Sequence, residues 1–309
     1  MICKRGFFMY KISDYKLLAT TQVLSKETVD YGVKMLGVMY EWHETMGEGI
    51  KVGVIDTGVD LDHEDLRGRV RAYKNFTSKY EKDVEDTNGH GTHVAGTICA
   101  NRNGIGVVGA APKCELYIAK AFGDGGQAKT EAIIKSFDWL ISENVNVINM
   151  SFSSSEPNEY EKLMVKRCYD NGIVLVAAAG NDGGSGDEDT IGYPAKYDSV
   201  IAVTAVDMNL NRAPFSSQGN CAQVAAAGTN ILSTYKNNTY ALLSGTSMAT
   251  PLITGAVAIL QGKAKIRFGR LLSPEEISLI MNIYADDLGF YGKDNQLGYG
   301  LFSFGRFLV

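Results

Sequence analysis

The chain has 309 residues, 45% of them hydrophobic and only six of them proline, enough for one large core or two small ones. Thirty basic residues stand against 35 acidic ones, a net charge of −5, and no Lys/Arg-dense run occurs, which argues against a nucleic-acid footprint. No apolar stretch is long enough to span a bilayer.

The N-terminus places Lys4 and Arg5 before Gly6-Phe7-Phe8-Met9-Tyr10, but Lys11 and Asp14 interrupt the apolar region, so it makes a poor signal peptide. Five cysteines (Cys3, Cys99, Cys114, Cys168, Cys221) show no metal spacing, and Cys99, Cys114 and Cys221 lie in apolar segments as reduced core residues would. These features point to the cytoplasm. Residues 1–27 have no clean period and read as an N-terminal extension, a candidate short inhibitory propeptide. Residues 28–309 contain no repeat or linker and read as one domain.

Along that domain, Val33–Trp42 is amphipathic and leads to a turn at Gly47-Glu48-Gly49. Residues 50–55 read as a buried strand ending at Asp56-Thr57-Gly58, and residues 62–88 as a polar loop. Asn88-Gly89-His90-Gly91-Thr92-His93 opens a helix through Ile98. Strands are expected at 116–121, 145–150, 173–178 and 200–206, and helices at 130–142 and 158–170. Ser273-Pro274-Glu275-Glu276 is a capped helix start. This alternation predicts an α/β fold, a mainly parallel β-sheet with helices on both faces.

Three segment ends carry chemistry. Asp56 closes a buried strand, a functional position in open α/β sheets, although an Asx-turn fits too. His90 supplies an imidazole, the side chain best suited to act as a base near neutral pH. Ser247, in Ser244-Gly-Thr-Ser-Met-Ala-Thr-Pro251, stands where a buried helix begins, beside unpaired amides and the positive end of the dipole. Pro251 is expected in the first turn, where a missing N–H costs little. Ser247 could equally be a plain N-cap, and Asn181 a turn residue after Gly180.

Four stretches together resemble the subtilisin-like serine protease family (peptidase S8): Val54-Ile-Asp-Thr-Gly58, Asn88-Gly-His-Gly-Thr-His-Val-Ala-Gly-Thr97, Ala178-Ala-Gly-Asn181 and Gly245-Thr-Ser-Met-Ala-Thr-Pro251. Their order Asp…His…Ser is the one by which subtilisins are defined. The resemblance covers about residues 30–305 and implies a three-layer subtilisin-like fold and a serine endopeptidase. It makes Asp56, His90 and Ser247 the triad and Asn181, with the Ser247 N–H, the donor to an acyl-transfer oxyanion. It makes His93 a packed core histidine. Polypeptide substrates would add as strands to Gly123–Gly126, with Gly125 and Gly126 at the edge, and to Ser151-Phe152-Ser153. This chain reads Ser151-Phe152-Ser153-Ser154 where most members read Ser-Leu-Gly-Gly. Gly192 matches the floor of the pocket for the residue before the cut bond. Asp182 and Asp187-Glu188-Asp189 lie in the same loop and could favour basic substrates, or be a solvated acidic loop.

The resemblance also implies structural Ca2+, held by Asp65, the side chain of Asn103 and backbone oxygens of Asn101, Ile105 and Val107, with no organic cofactor. Within the family the nearest likeness is to bacterial intracellular subtilisins, whose short extension inhibits; their Leu-Ile-Pro-Tyr signature is absent here. The extension would then be a partner of its own enzyme, with neither nucleic acid nor membrane involved. Two alternatives share the pattern: a dedicated precursor-processing protease, and a catalytically silent subtilisin-like binding or sensor protein.

Overall fold

The computed structural model describes residues 9–12, 15–21 and 24–305, so Cys3 and the rest of residues 1–8 lie outside the described residues. In chain order the elements are β1 (Met9–Lys11), β2 (Lys16–Thr21), α1 (Tyr31–Met35), β3 (Lys51–Asp56), β4 (Val70–Asn75), α2 (His90–Cys99), β5 (Glu115–Lys120) and β6 (Gln127–Lys129). There follow α3 (Thr130–Ser142), β7 (Val147–Met150), α4 (Glu159–Asp170), β8 (Val174–Ala178), β9 (Ile201–Val206), β10 (Ala222–Ala227), β11 (Ile231–Tyr235) and β12 (Thr239–Ser244). The chain closes with α5 (Thr246–Phe268), α6 (Pro274–Ile283), β13 (Ala285–Asp286) and β14 (Leu301–Phe302).

The main sheet runs β13-β14-β10-β9-β8-β7-β3-β5-β4, parallel throughout except for the β13–β14 pair. Period-two alternation sends successive side chains to opposite faces. Val52, Val54, Leu116, Ile118, Val174 and Val176 pack with α2, α5 and α6. Ile55, Ala119, Ile148, Leu175 and Ala177 pack with α3 and α4 on the other face. The expected three layers are therefore present.

Some boundaries differ from the sequence reading. The stretch Val33–Trp42 is broken at Gly37, which takes φ 69°, separating α1 from a single 3-10 turn at Val38–Tyr40. The polar stretch 62–88 contains β4, an edge strand in which Arg71 is exposed and Lys74 half-buried, so no apolar period marks it. The β11–β12 hairpin was not foreseen. Helix α5 begins at Thr246, so Pro251 is its sixth residue and lies beyond the first turn. Of the described residues ahead of α1, β2 pairs with β12, and Leu24, Glu27 and Thr28 bond to the 104–108 loop.

Candidate active site

Strand β3 ends at Asp56 and helix α2 starts at His90, which brings the two buried side chains together, Nδ1 to Oδ1 at 2.8 Å. A carboxylate can only accept, so Nδ1 carries the proton and Nε2 is left with its lone pair. Asp56 Oδ1 also accepts the Thr57 N–H at 2.7 Å. The helix start is built by a buried residue that the sequence reading passed over, Asp86. Its carboxylate accepts from the Gly89 and Thr92 amides and from the Thr57 and Thr92 hydroxyls. It thereby caps α2 in place of Gly89, which has no side chain and takes φ 100°. A Cβ on Gly91 would stand 2.2 Å from the Gly58 carbonyl, so α2 can approach β3 this closely only with glycine there.

Ser247 is the second residue of α5, so its N–H has no carbonyl one turn back. Its hydroxyl donates to the Ser151 carbonyl at 3.1 Å, while His90 Nε2 has no hydrogen-bond partner among the described residues. Asn181 follows β8; its Oδ1 accepts from the Thr246 N–H and hydroxyl at 2.9 and 2.8 Å. That pins the amide so that Nδ2 faces Gly245, 3.1 Å from where a Cβ would sit. Any side chain at 245 would fill the space between Asn181 and the start of α5. Asp56, Ser151 and Asn181 all follow carboxyl ends of parallel strands, where open α/β sheets place their sites.

His93 lies one turn on, fully buried, with Nε2–H donating to the Ile231 and Ala241 carbonyls. Burial pushes its pKa down to about 3, so it stays neutral and belongs to the core. His63 accepts the Asp65 N–H and faces the Thr239 carbonyl, and His43 faces the Tyr40 carbonyl.

Beside the triad lies a groove walled by β6 and by residues 151–154. Strand β1 fills it. Lys11 exchanges both backbone bonds with Ser153, at 3.2 and 3.1 Å, and the Ile12 N–H donates to the Gly126 carbonyl at 2.9 Å. Phe152 is fully buried and meets Tyr10 edge-on at 5.9 Å. Further along, the Tyr15 ring lies 5.1 Å from that of His90, and its hydroxyl donates to Asn88. Ser153, Ser154, Asp182 and Gly192 line one cavity of about 420 Å³, with Lys11 at its edge. Gly192 packs on Ser153 and Ser154, where a Cβ would come within 3.0 Å of both. Of the acidic loop, Asp189 is paired with Lys196 at 2.8 Å. Gly125 has open space where a Cβ would point.

Among the calcium candidates, Asp65 is buried, accepting from Asn103 Nδ2 at 2.9 Å and from the Val107 N–H at 2.8 Å. Burial raises its pKa, and it has no ion-pair partner among the described residues. Asn103 Oδ1 accepts the Ile105 N–H, so it would turn its amide over to serve as a ligand. Asn101 is tied to Asp65 through its backbone N–H and to the Arg67 carbonyl through its side chain. Glu27, which the sequence reading did not consider, accepts the Gly104 N–H at 2.8 Å. No cluster of three or more His, Cys, Asp or Glu side chains forms among the described residues. A buried carboxylate, a second one nearby and a loop of carbonyls suit a hard oxygen-seeking cation.

A buried Asp–His pair at the carboxyl end of a parallel strand and a serine at a helix start are the parts a serine hydrolase needs. Residues 47–300 match the model of the subtilase family. The chain is 43% identical over 271 residues to subtilisin DY of Bacillus licheniformis, covering 86% of this chain and 96% of that one. It is 39% identical over 270 residues to an intracellular serine protease of Paenibacillus polymyxa, covering 86% and 82%. With subtilisin E of Bacillus subtilis it shares 45% over 217 residues, or 70% and 56%. The chain belongs to the subtilase family and is a subtilisin-like serine endopeptidase.

Proposed function

We propose that this endopeptidase works inside the cell through an acyl-enzyme, and that its own amino-terminal segment holds it shut until removed. The observation that carries the reading is the two-way backbone pairing of Lys11 with Ser153, continued by Ile12 to Gly126. A polypeptide substrate would add as a strand in that groove. With Tyr15 against the imidazole, the base is covered as well.

Once the groove is free, a substrate carbonyl is held against Ser247 by the same pairing. The Ser247 proton passes to His90 Nε2, and Asp56 steadies the imidazolium that forms. Asn181 Nδ2 and the Ser247 N–H receive the oxyanion. The imidazolium then protonates the leaving amine, and a water deacylates the serine by the reverse proton path. Asp182 in the cavity beside Gly192 favours a basic residue before the cut bond. Asp65 and Glu27 side chains with loop carbonyls would hold Ca2+, which ties residues 24–28 to the body and takes no part in the chemistry. An intracellular setting is supported by the free cysteines 99, 114, 168 and 221 and by the name of the Paenibacillus relative. Among the described residues no helix is long and apolar enough to cross a membrane.

Intact-mass spectrometry of the full chain beside Ser247→Ala tests this. The expected result is stepwise loss of the amino-terminal segment in the active chain, a rise in activity in step with that loss, and full length retained in Ser247→Ala. Full activity toward a peptide substrate with the segment still attached would reject the inhibitory role.

A further inference from the structure

Tyr10 is fully buried although it belongs to a three-residue strand at the amino end of the chain. Its ring stands edge-on to Phe152, which in turn packs on Phe122 at 5.1 Å. Beyond the ring lies Glu161, the third residue of α4, with no exposed surface. The tip of this pocket is unusual. Neither Glu161 oxygen nor the Tyr10 hydroxyl makes a hydrogen bond of normal geometry among the described residues, and the hydroxyls of Tyr10 and Tyr197 are the polar groups that face the carboxyl. The Tyr197 hydroxyl also bonds to the Asn158 backbone, so it is shared between that segment and the carboxyl. No lysine, arginine or histidine pairs with Glu161 among the described residues. Burial accordingly pushes its pKa up to about 8.

A buried carboxyl with no cationic partner is expensive unless hydroxyl groups meet its oxygens. Apolar side chains would leave the carboxyl with the Tyr197 hydroxyl alone. A phenol fills the aromatic walls and brings one hydroxyl to the carboxyl. The antiparallel Lys11–Ser153 bridge fixes the register: a substrate residue two further along faces Ser151, whose carbonyl is bonded to Ser247. The pocket of Tyr10 therefore receives the fourth residue on the amino side of the cut bond.

We propose that Glu161 is a specificity-determining residue, which makes this pocket select tyrosine over phenylalanine or leucine, in the amino-terminal segment and in substrates alike. The proposal rests on the reading that β1 occupies the groove as a substrate strand does.

Two measurements on the full chain test it. In the first, a mixture of peptides differing only in Tyr, Phe or Lys at that fourth position competes for the enzyme, and mass spectrometry reads the kcat/KM ratios. Occupancy of the groove by the segment lowers all three equally and leaves the ratios intact, so failure of the inhibitory reading is separable. The Tyr peptide should lead the Phe peptide by about tenfold or more. Glu161→Leu should erase or invert that lead, and Glu161→Gln, which keeps hydrogen-bonding atoms at the pocket end, should preserve part of it. A wild-type Tyr/Phe ratio near one, a ratio untouched by Glu161→Leu, or a lead for Lys would overturn the proposal. In the second, Ser247 is labelled with a fluorophosphonate in wild type and in Tyr10→Phe. Removing the one hydroxyl should speed labelling several-fold, by loosening β1; equal rates count against a role for the carboxyl.

Discussion

Ser151 and Ser247 hold each other by two hydrogen bonds, hydroxyl to carbonyl in each direction, at 3.0 and 3.1 Å. The cause is Pro251. Four residues after Ser247, it lacks the N–H that would have closed the helical bond to the Ser247 carbonyl. The Ser151 hydroxyl supplies that bond instead. It is itself held by Asn149 Nδ2 at 2.9 Å, and Asn149 by the Thr254 hydroxyl at 2.8 Å. Ser247 is thus fixed to the floor of the groove by a chain of buried polar side chains that leads back into α5.

Ser151→Ala would leave the Ser247 carbonyl buried and unpaired. The expected cost is about 1–3 kcal/mol of stability. Urea unfolding in a Ser247→Ala background, where self-digestion is removed, measures it. An unchanged midpoint would show that the freed carbonyl finds another donor.

Asn181→Ala removes the side chain proposed to donate to the oxyanion, together with the acceptor for Thr246. Turnover should fall by about a hundred- to a thousandfold with KM little altered, a figure taken over from the corresponding asparagine of a subtilisin. Steady-state kinetics on a peptide p-nitroanilide reads it. A loss confined to KM would move Asn181 from oxyanion binding to substrate binding.

His93 makes stability depend on pH in a defined window. Its folded pKa of about 3 lies below the usual imidazole value of 6.5, chiefly because burial penalises the cation. The unfolded chain therefore takes up a proton that the folded chain refuses. Its contribution is whole above pH 6.5 and is lost as the pH falls toward 3. Urea midpoints of Ser247→Ala, taken from pH 7 down to pH 4, should decline with a slope that His93→Gln reduces. Parallel slopes in the two proteins would assign the acid sensitivity to other groups.

Chelation should lower the melting temperature by several degrees if Asp65 and Glu27 help to hold a calcium ion. Asp65→Asn should start lower and ignore the chelator. Differential scanning fluorimetry with EDTA and with added Ca2+ reads both. Identical melting curves for the wild type with and without chelator would remove calcium from this loop.

Much of this protein was legible locally. The alternation of apolar strands with amphipathic helices gave the three layers, because side-chain direction along a strand or helix follows from backbone geometry alone. Gly89-His90-Gly91 and Gly245-Thr246-Ser247 could be read because close backbone approach excludes a Cβ and leaves that demand in the sequence. The edge strand β4 escaped, since a half-exposed strand carrying Arg71 and Lys74 has no apolar period. Asp86 and Glu27 escaped too. Their partners are amides and hydroxyls brought to them by the fold, and neither residue sits in a pattern of its own.

The sequence alone determined which side chains could do chemistry here, because nucleophile, base and carboxylate are properties of residue types at the ends of recognisable segments. Only the tertiary structure decided what those groups face. The Ser247 hydroxyl turned to Ser151, Tyr15 against His90, and Tyr10 above Glu161 are contacts between residues from 75 to more than 150 positions apart. Such contacts are set by packing and by the desolvation of buried charge, and neither leaves a spacing to be read along the chain.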